Sequence, residues 1–196
     1  AALKSNLFDE VMVSTDDEGI AEVALKYGAT VPFFREKLNS NDFATIFEVI
    51  KEVLSNYEKM GKNYECLCCL FATSPFVTPL KLNKAFDKMK AENKSSIFPV
   101  IKYSYPIQRS LIIENKKIKF REPKFINHRS QDLKDFYHDS GQFYFITREK
   151  FLQSNSFVSE DTSAYIINTM EAQDIDNEID WRLAELKYQL FQKKDQ

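Results

Sequence analysis

Tyr64-Glu65-Cys66-Leu67-Cys68-Cys69-Leu70-Phe71, followed at once by Ala72-Thr73-Ser74-Pro75, is the stretch that decides the fold class. The run is nearly unbroken in apolar residues, so it reads as a strand covered on both faces, as central strands of parallel sheets are. Ala72 to Pro75 reads as a polar turn at the strand's carboxyl end, and a helix follows from Pro79. The three cysteines all fall inside the run. An odd, crowded set with no second Cys/His group argues against a disulfide framework or a zinc site, and for buried strand residues in a reducing compartment.

Upstream, the same alternation appears twice more. Glu10 to Thr15 is a short β-branched run that stops at Asp16-Asp17, and Ile20, Val23, Ala24 and Tyr27 then fall at helical spacing before Gly28. Thr30 to Phe34 reads as a second strand. Phe43, Ile46, Phe47, Ile50, Val53, Leu54 and Tyr57 predict a helix from about Asp42 to Gly61. Three strand–helix alternations imply an α/β, doubly wound, mainly parallel sheet. In such sheets ligands sit at the carboxyl ends of strands, which places Ser14 to Asp17 and Thr73 to Pro75 on one rim.

Downstream the pattern changes. Ile97–Ile101, Ile107–Ile113 and Ile118–Arg121 read as strands of a small hairpin-rich insertion, with Asn115-Lys116 as a turn. Gln142 to Ile146 and Ala164 to Met170 read as further strands. The polar, irregular Phe151 to Ser163 stretch suits an arm that packs on a partner, and a helix is expected from about Asn177 to Gln192. The first residues, Ala1 to Ser5, read as the last turn of a helix, which suggests residues upstream of Ala1.

The chain has 196 residues, 43% of them hydrophobic and 29% charged, with a formal net charge of -2. One domain is expected over 1–196. A basic stripe for nucleic acid or an anionic membrane is not evident. No run approaches a membrane span and no secretory signal opens the chain, so a cytoplasmic protein is expected.

Two places could carry chemistry. In Asp174-Ile175-Asp176, residues two apart on an extended stretch point the same way, so both carboxylates can face one hard divalent ion such as Mg²⁺. The competing reading is that Asp176 merely caps the last helix. Arg129 to Leu133 and Tyr137 to Tyr144 are dense in hydrogen-bonding groups beside aromatics, which suits a sugar edge or simply a polar turn. A His138–Asp139 dyad is disfavoured because adjacent residues rarely face each other. Arg109 could clamp a carboxylate or be a solvated surface group. Ser14 to Asp17 reads best as a capping cluster. The chain has four glycines, none clustered, and so lacks a Rossmann or Walker cradle.

Taken together, Val13-Ser14-Thr15-Asp16-Asp17, Arg35, Asp42-Phe43-Ala44-Thr45, Leu70 to Pro75 and Gln173 to Trp181 resemble the cytidylyltransferases that activate nonulosonic acids as CMP-sugars. Pro106 to Arg109, with Arg129 to Leu133 and Tyr137 to Tyr144, resembles the pseudaminic acid branch of that family. Ala72 stands where sialic acid enzymes carry a glutamine, which counts against sialate as the substrate.

The resemblance implies a nucleotide-diphospho-sugar transferase fold with CTP and a nonulosonic acid as substrates and Mg²⁺ as cofactor. CMP-sialic or CMP-legionaminic acid synthesis, or a non-catalytic nucleotide-binding or dimerising fragment, are the alternatives. By position, Arg35, Ala44, Thr45 and Ser74 would bind the nucleotide, and Asp174 and Asp176 the metal. Gln108, Arg109, Gln131, Tyr137, His138 and Gln142 would line the sugar pocket. The family's homodimers imply a dimerisation arm over roughly 147–163, with Phe157 reaching the partner's substrate. The family's first strand and basic, Gly-containing loop have no counterpart in this chain, so a truncated domain is expected.

Overall fold

The computed structural model describes residues 1–192. Its elements are α1 (Ala2–Ser5), α2 (Glu18–Lys26), α3 (Ile46–Lys59), β1 (Cys66–Leu70), α4 (Pro79–Ala91), β2 (Ser96–Lys102), β3 (Leu111–Glu114), β4 (Lys117–Phe120), β5 (Tyr137–Asp139), β6 (Phe143–Thr147), α5 (Arg148–Ser154), β7 (Thr162–Ile167) and α6 (Glu178–Gln192). They fall into two compact units. One comprises Ala1–Phe98 with Gln142–Tyr165; the other comprises Pro99–Gly141 with the segment from Ile166 onward.

In the first unit, β1 pairs antiparallel with β6, from Cys66 opposite Thr147 to Leu70 opposite Phe143. β6 also pairs antiparallel with the start of β2, Ile97 lying opposite Phe145, and β7 pairs with β2. Alternation along the strands sends neighbours to opposite faces. Cys66 and Cys68 pack with Phe143, Phe145 and Ile97 against Leu82, Ala85 and Met89 of α4. Leu67 and Cys69 pack on the other side with Tyr144, Ile146, Leu54 of α3 and Phe151 of α5. Helices therefore cover both faces, which is why the β1 run has no polar break.

The α/β class stands, and the direction of the strands is the correction. The pairings of β6 with β1 and β2 are antiparallel rather than parallel, and a parallel bridge joins Met12 and Thr30. An unbroken apolar run reports burial on two faces; it carries no information about the neighbour's direction. Glu10–Thr15 and Thr30–Phe34, expected as full strands, contribute that bridge alone. Its hydrogen bonds run from Val13 N to Thr30 O and from Thr30 N to Val11 O, both 2.9 Å.

Burial also fixes the thiols. It pushes Cys66 up to about 11 and Cys69 to about 12, and Cys68 well above its ordinary value. All three are free cysteines held as neutral thiols.

Helix α3 begins later than the apolar spacing suggests, because Thr45 caps it. The Thr45 hydroxyl accepts from Glu48 N at 3.3 Å, and the Glu48 carboxylate accepts from Thr45 N at 2.7 Å. This reciprocal pair is a capping box.

The segment expected as an arm is folded into the first unit. Phe151 is 0% exposed and Phe157 is 6% exposed. The Phe157 ring stacks on Tyr144 at 4.5 Å and lies 5.0 Å from Phe47. Ser96 Oγ donates to Phe157 O at 3.1 Å and shares a 2.7 Å hydrogen bond with Thr162 Oγ1, fastening both ends of the loop. The aromatic partners of Phe157 in this chain thus lie in its own core.

A carboxylate box ties the N-terminal segment to α3. Glu10 accepts hydrogen bonds from Thr30 Oγ1 (2.9 Å), Tyr57 Oη (2.8 Å), Lys62 Nζ (2.7 Å) and Tyr64 Oη (2.6 Å). Desolvation alone would raise this carboxyl; the four donors outweigh it and hold Glu10 at about 2, against an ordinary 4.5. The folded value is depressed, so the stabilisation is present above pH 4.5 and is lost as pH falls toward about 2. Glu10→Gln is therefore expected to lower the melting temperature at pH 7 and to flatten its dependence between pH 4.5 and 2. Thermal scans across that range check this, and an unchanged acid dependence would refute the box as the cause.

In the second unit, β3 and β4 form a hairpin with Leu111 opposite Phe120 and Ile113 opposite Ile118. Asn115 and Lys116 turn it with φ of 51° and 62°, the left-handed pair that a two-residue hairpin loop requires. The expected turn is present, although Ile107–Arg109 forms a 3-10 turn rather than strand. The end of β2 pairs antiparallel with β5, Ile101 opposite His138. Helix α6 closes the described chain.

Candidate functional site

The residues singled out by sequence fall in both units, and each set is built on its own scaffold. In the first unit, Arg35 N donates to Thr15 O at 2.9 Å, and Arg35 Nε donates to Ser14 Oγ at 3.1 Å. Its Nη2 also donates to the Ser14 carbonyl. The guanidinium is thus held against the segment that ends in Asp17, whose carboxylate caps α2 by accepting from Ile20 N at 2.8 Å. The capping reading of Ser14 to Asp17 agrees with this geometry.

Thr45 is exposed at the α3 cap beside half-buried Ala44. Ser74 Oγ donates to Gln142 O at 3.1 Å, and Phe71 N donates to the same carbonyl at 3.0 Å. The polar turn after β1 is therefore pinned to the start of β6. Gln142 itself is 2% exposed.

In the second unit, Tyr137 and His138 lie on β5, with the His138 ring 4.9 Å from that of Tyr103. His138 Nδ1 bonds the Asp139 backbone carbonyl at 2.8 Å, while the Asp139 carboxylate accepts from Gly141 N at 2.9 Å. The two side chains do not engage each other, so no His–Asp dyad forms. Gln108 is 5% exposed and donates from Nε2 to Lys134 O at 2.7 Å. Its Oε1 is buried with no hydrogen-bond partner among the described residues. An orphaned acceptor of this kind calls for a donor from a ligand or water. Exposed Arg109 reaches Ser130 Oγ at 3.4 Å, and Gln131 lies in the adjacent 3-10 turn, also exposed.

Asp174 and Asp176 are both exposed, on an irregular segment between a 3-10 turn at Thr169–Glu171 and α6. Here the structure separates the two sequence readings. Asn177, not Asp176, caps α6. Its Oδ1 accepts from Ile179 N at 2.9 Å and Asp180 N at 3.1 Å, and Asp180 Oδ2 accepts in return from Asn177 N at 3.2 Å. Asp180 Oδ2 also accepts from Asp176 N at 3.2 Å. With capping done by Asn177 and Asp180, the Asp174 and Asp176 carboxylates have no hydrogen bond or ion pair among the described residues. Two uncommitted carboxylates are a hard-oxygen donor set that fits a divalent cation retaining water or phosphate ligands. No group of three or more His, Cys, Asp or Glu side chains that could hold a metal ion comes together among the described residues.

Sequence reading missed Lys187, and took in Gln173 only as the first residue of the Gln173 to Trp181 stretch. Lys187, on α6, sends its ammonium to Ala172 O and Gln173 Oε1, both at 2.8 Å, and to Thr169 O at 3.3 Å. Gln173 Nε2 in turn donates to Asp174 O at 3.0 Å. Desolvation holds Lys187 below the ordinary lysine value. A lysine on a charged helix gives no pattern that sequence could flag.

Comparison with known proteins covers nearly the whole chain. The family model described as Cytidylyltransferase matches residues 1–194. A pseudaminic acid cytidylyltransferase of Campylobacter jejuni is 36% identical over 190 residues, 96% of this chain and 82% of that protein. A CMP-N,N'-diacetyllegionaminic acid synthase of Legionella pneumophila is 32% identical, over 98% of this chain and 84% of its own length. Among solved structures, CMP:2-keto-3-deoxy-manno-octonic acid synthetase complexed with CTP superposes with a TM-score of 0.61. That match covers 97% of this chain and 86% of the other at 12% identity, a likeness of fold.

Proposed function

Since the chain belongs to the cytidylyltransferase family, we propose that it transfers CMP from CTP to pseudaminic acid, giving CMP-pseudaminic acid and pyrophosphate. The observation that carries the reading is the uncommitted Asp174 and Asp176 pair, left free because Asn177 and Asp180 cap α6. Asp174 and Asp176 would hold Mg²⁺, which when bound supplies charge neutralisation at the nucleotide phosphates. The chain's own part is positioning. Arg35, Ala44, Thr45 and Ser74 would bind the nucleotide. Gln108, Arg109, Gln131, Tyr137, His138 and Gln142 would orient the sugar so that its anomeric hydroxyl meets the α-phosphate in line. The orphaned Gln108 Oε1 suits a hydroxyl or amide donor of that sugar.

A homodimer completes the proposal. Support for it lies in the second unit, where Leu111, Ile113 and Ile118 of the β3–β4 hairpin are 51%, 75% and 65% exposed. A two-stranded hairpin with a bare apolar face gains from a covering partner. No helix among the described residues is long and apolar enough to cross a membrane.

The legionaminic acid relative supports a second sugar as the alternative substrate. Pyrophosphate release with CTP and pseudaminic, legionaminic or sialic acid separates the cases. The largest kcat/KM is expected for pseudaminic acid, and a higher value for another sugar would overturn that choice.

A further inference from the structure

We propose that Lys187 is a positioning residue that, together with the Asn177–Asp180 cap, uses helix α6 to preset the two carboxylates of Asp174 and Asp176 for a divalent cation. The inference rests on the metal reading above and extends it to residues that touch neither metal nor substrate.

The 173–177 segment has no regular structure of its own, so its backbone would sample many conformations if left untied. It is tied at both ends, and both ties go to α6. At its downstream end, Asp180 Oδ2 takes the amides of Asp176 and Asn177, each at 3.2 Å. At its upstream end, Lys187 spends all three ammonium protons on Thr169 O, Ala172 O and Gln173 Oε1. Gln173 passes that anchor on through its 3.0 Å bond to the Asp174 carbonyl. Seven residues along a helix is close to two full turns, so Asp180 and Lys187 lie on one face of α6. The segment carrying both carboxylates is thereby stretched between two points on that face.

The choice of side chain fits the task. Lysine has three donors and a long stem, and can collect acceptors that converge at a point. Ala172, whose carbonyl it holds, is 4% exposed, so the upstream anchor is fixed by packing as well as by hydrogen bonds. Residues that orient metal ligands without touching the metal alter affinity by about 10- to 100-fold when removed.

The test uses Lys187→Met, Gln173→Ala and Asp174→Ala beside the wild-type chain. Mn²⁺ is titrated in the presence of CTP and followed by loss of the free-ion paramagnetic resonance signal. Pyrophosphate release is measured against Mg²⁺ concentration. Lys187→Met is expected to raise the half-saturating Mn²⁺ and Mg²⁺ concentrations about tenfold, while the KM for CTP at saturating Mg²⁺ stays within about twofold. Lys187→Arg, which keeps the charge and the donors, is expected to recover part of the loss. Gln173→Ala, a milder change, is expected to move the same constants the same way by about threefold, and it carries the test if Lys187→Met does not fold. Wild-type metal titrations in both Lys187→Met and Gln173→Ala, with Asp174→Ala impaired, would overturn the positioning role and leave the metal reading intact. Wild-type metal binding in Asp174→Ala would instead overturn the metal reading and this inference with it.

Discussion

Asp174→Ala is expected to lower pyrophosphate release from CTP and pseudaminic acid by about a thousandfold at fixed Mg²⁺. A bound cation contributes several kcal/mol of charge stabilisation to phosphoryl chemistry. About 4 kcal/mol corresponds to about three decades in rate. The fold should be unaffected, because the Asp174 side chain is exposed and the helix start beside it is capped by Asn177 and Asp180. Circular dichroism and melting temperature should match wild type while turnover collapses. Near-normal turnover at saturating Mg²⁺ would remove Asp174 from the proposed site.

Phe157→Ala is expected to act in the opposite sense, through stability. The ring is 6% exposed and packs on Tyr144, Phe47 and Phe151 at centroid distances of 4.5, 5.0 and 6.3 Å. Removing a buried phenyl ring costs about 3–5 kcal/mol, transfer and cavity included. A residue on a projecting arm would cost less than about 0.5 kcal/mol when truncated in the monomer. Urea unfolding distinguishes these outcomes directly, and sedimentation on the same samples reads any change in association. A small loss of stability with a large loss of association would place Phe157 at an interface instead.

The Phe157 case marks a boundary of what periodicity can reveal. Helices α2 and α3 were legible because their apolar residues recur at helical spacing, and Asp17 marked the start of α2, whereas the Thr45 cap that sets the start of α3 emerged only in the structure. The segment around Phe157 has no period, only serines and acids between aromatics, so it read as a polar arm. Its aromatics are buried by partners brought from α3, far away in sequence, together with Tyr144 of nearby β6. Strand direction was hidden for a related reason. The Cys66 to Leu70 run records that both faces are covered, whereas β6 is placed beside it by the path of the chain.

The candidate site divides in the same way. Family resemblance and the two-residue spacing of Asp174 and Asp176 were present in the sequence, since motif order and side-chain alternation are local properties. Whether Asp176 was spent on a helix cap was not, because Asn177 and Asp176 are adjacent and both can cap; the hydrogen bonds of Asp180 decide between them. Lys187 was invisible altogether. Its function depends on three acceptors, at Thr169, Ala172 and Gln173, that converge on one ammonium only when α6 folds back along the segment that precedes it. The sequence by itself determined which chemistry the chain carries. Tertiary structure decided which carboxylates are spent on the α6 cap and which are left uncommitted, because hydrogen-bond partners are assigned in space.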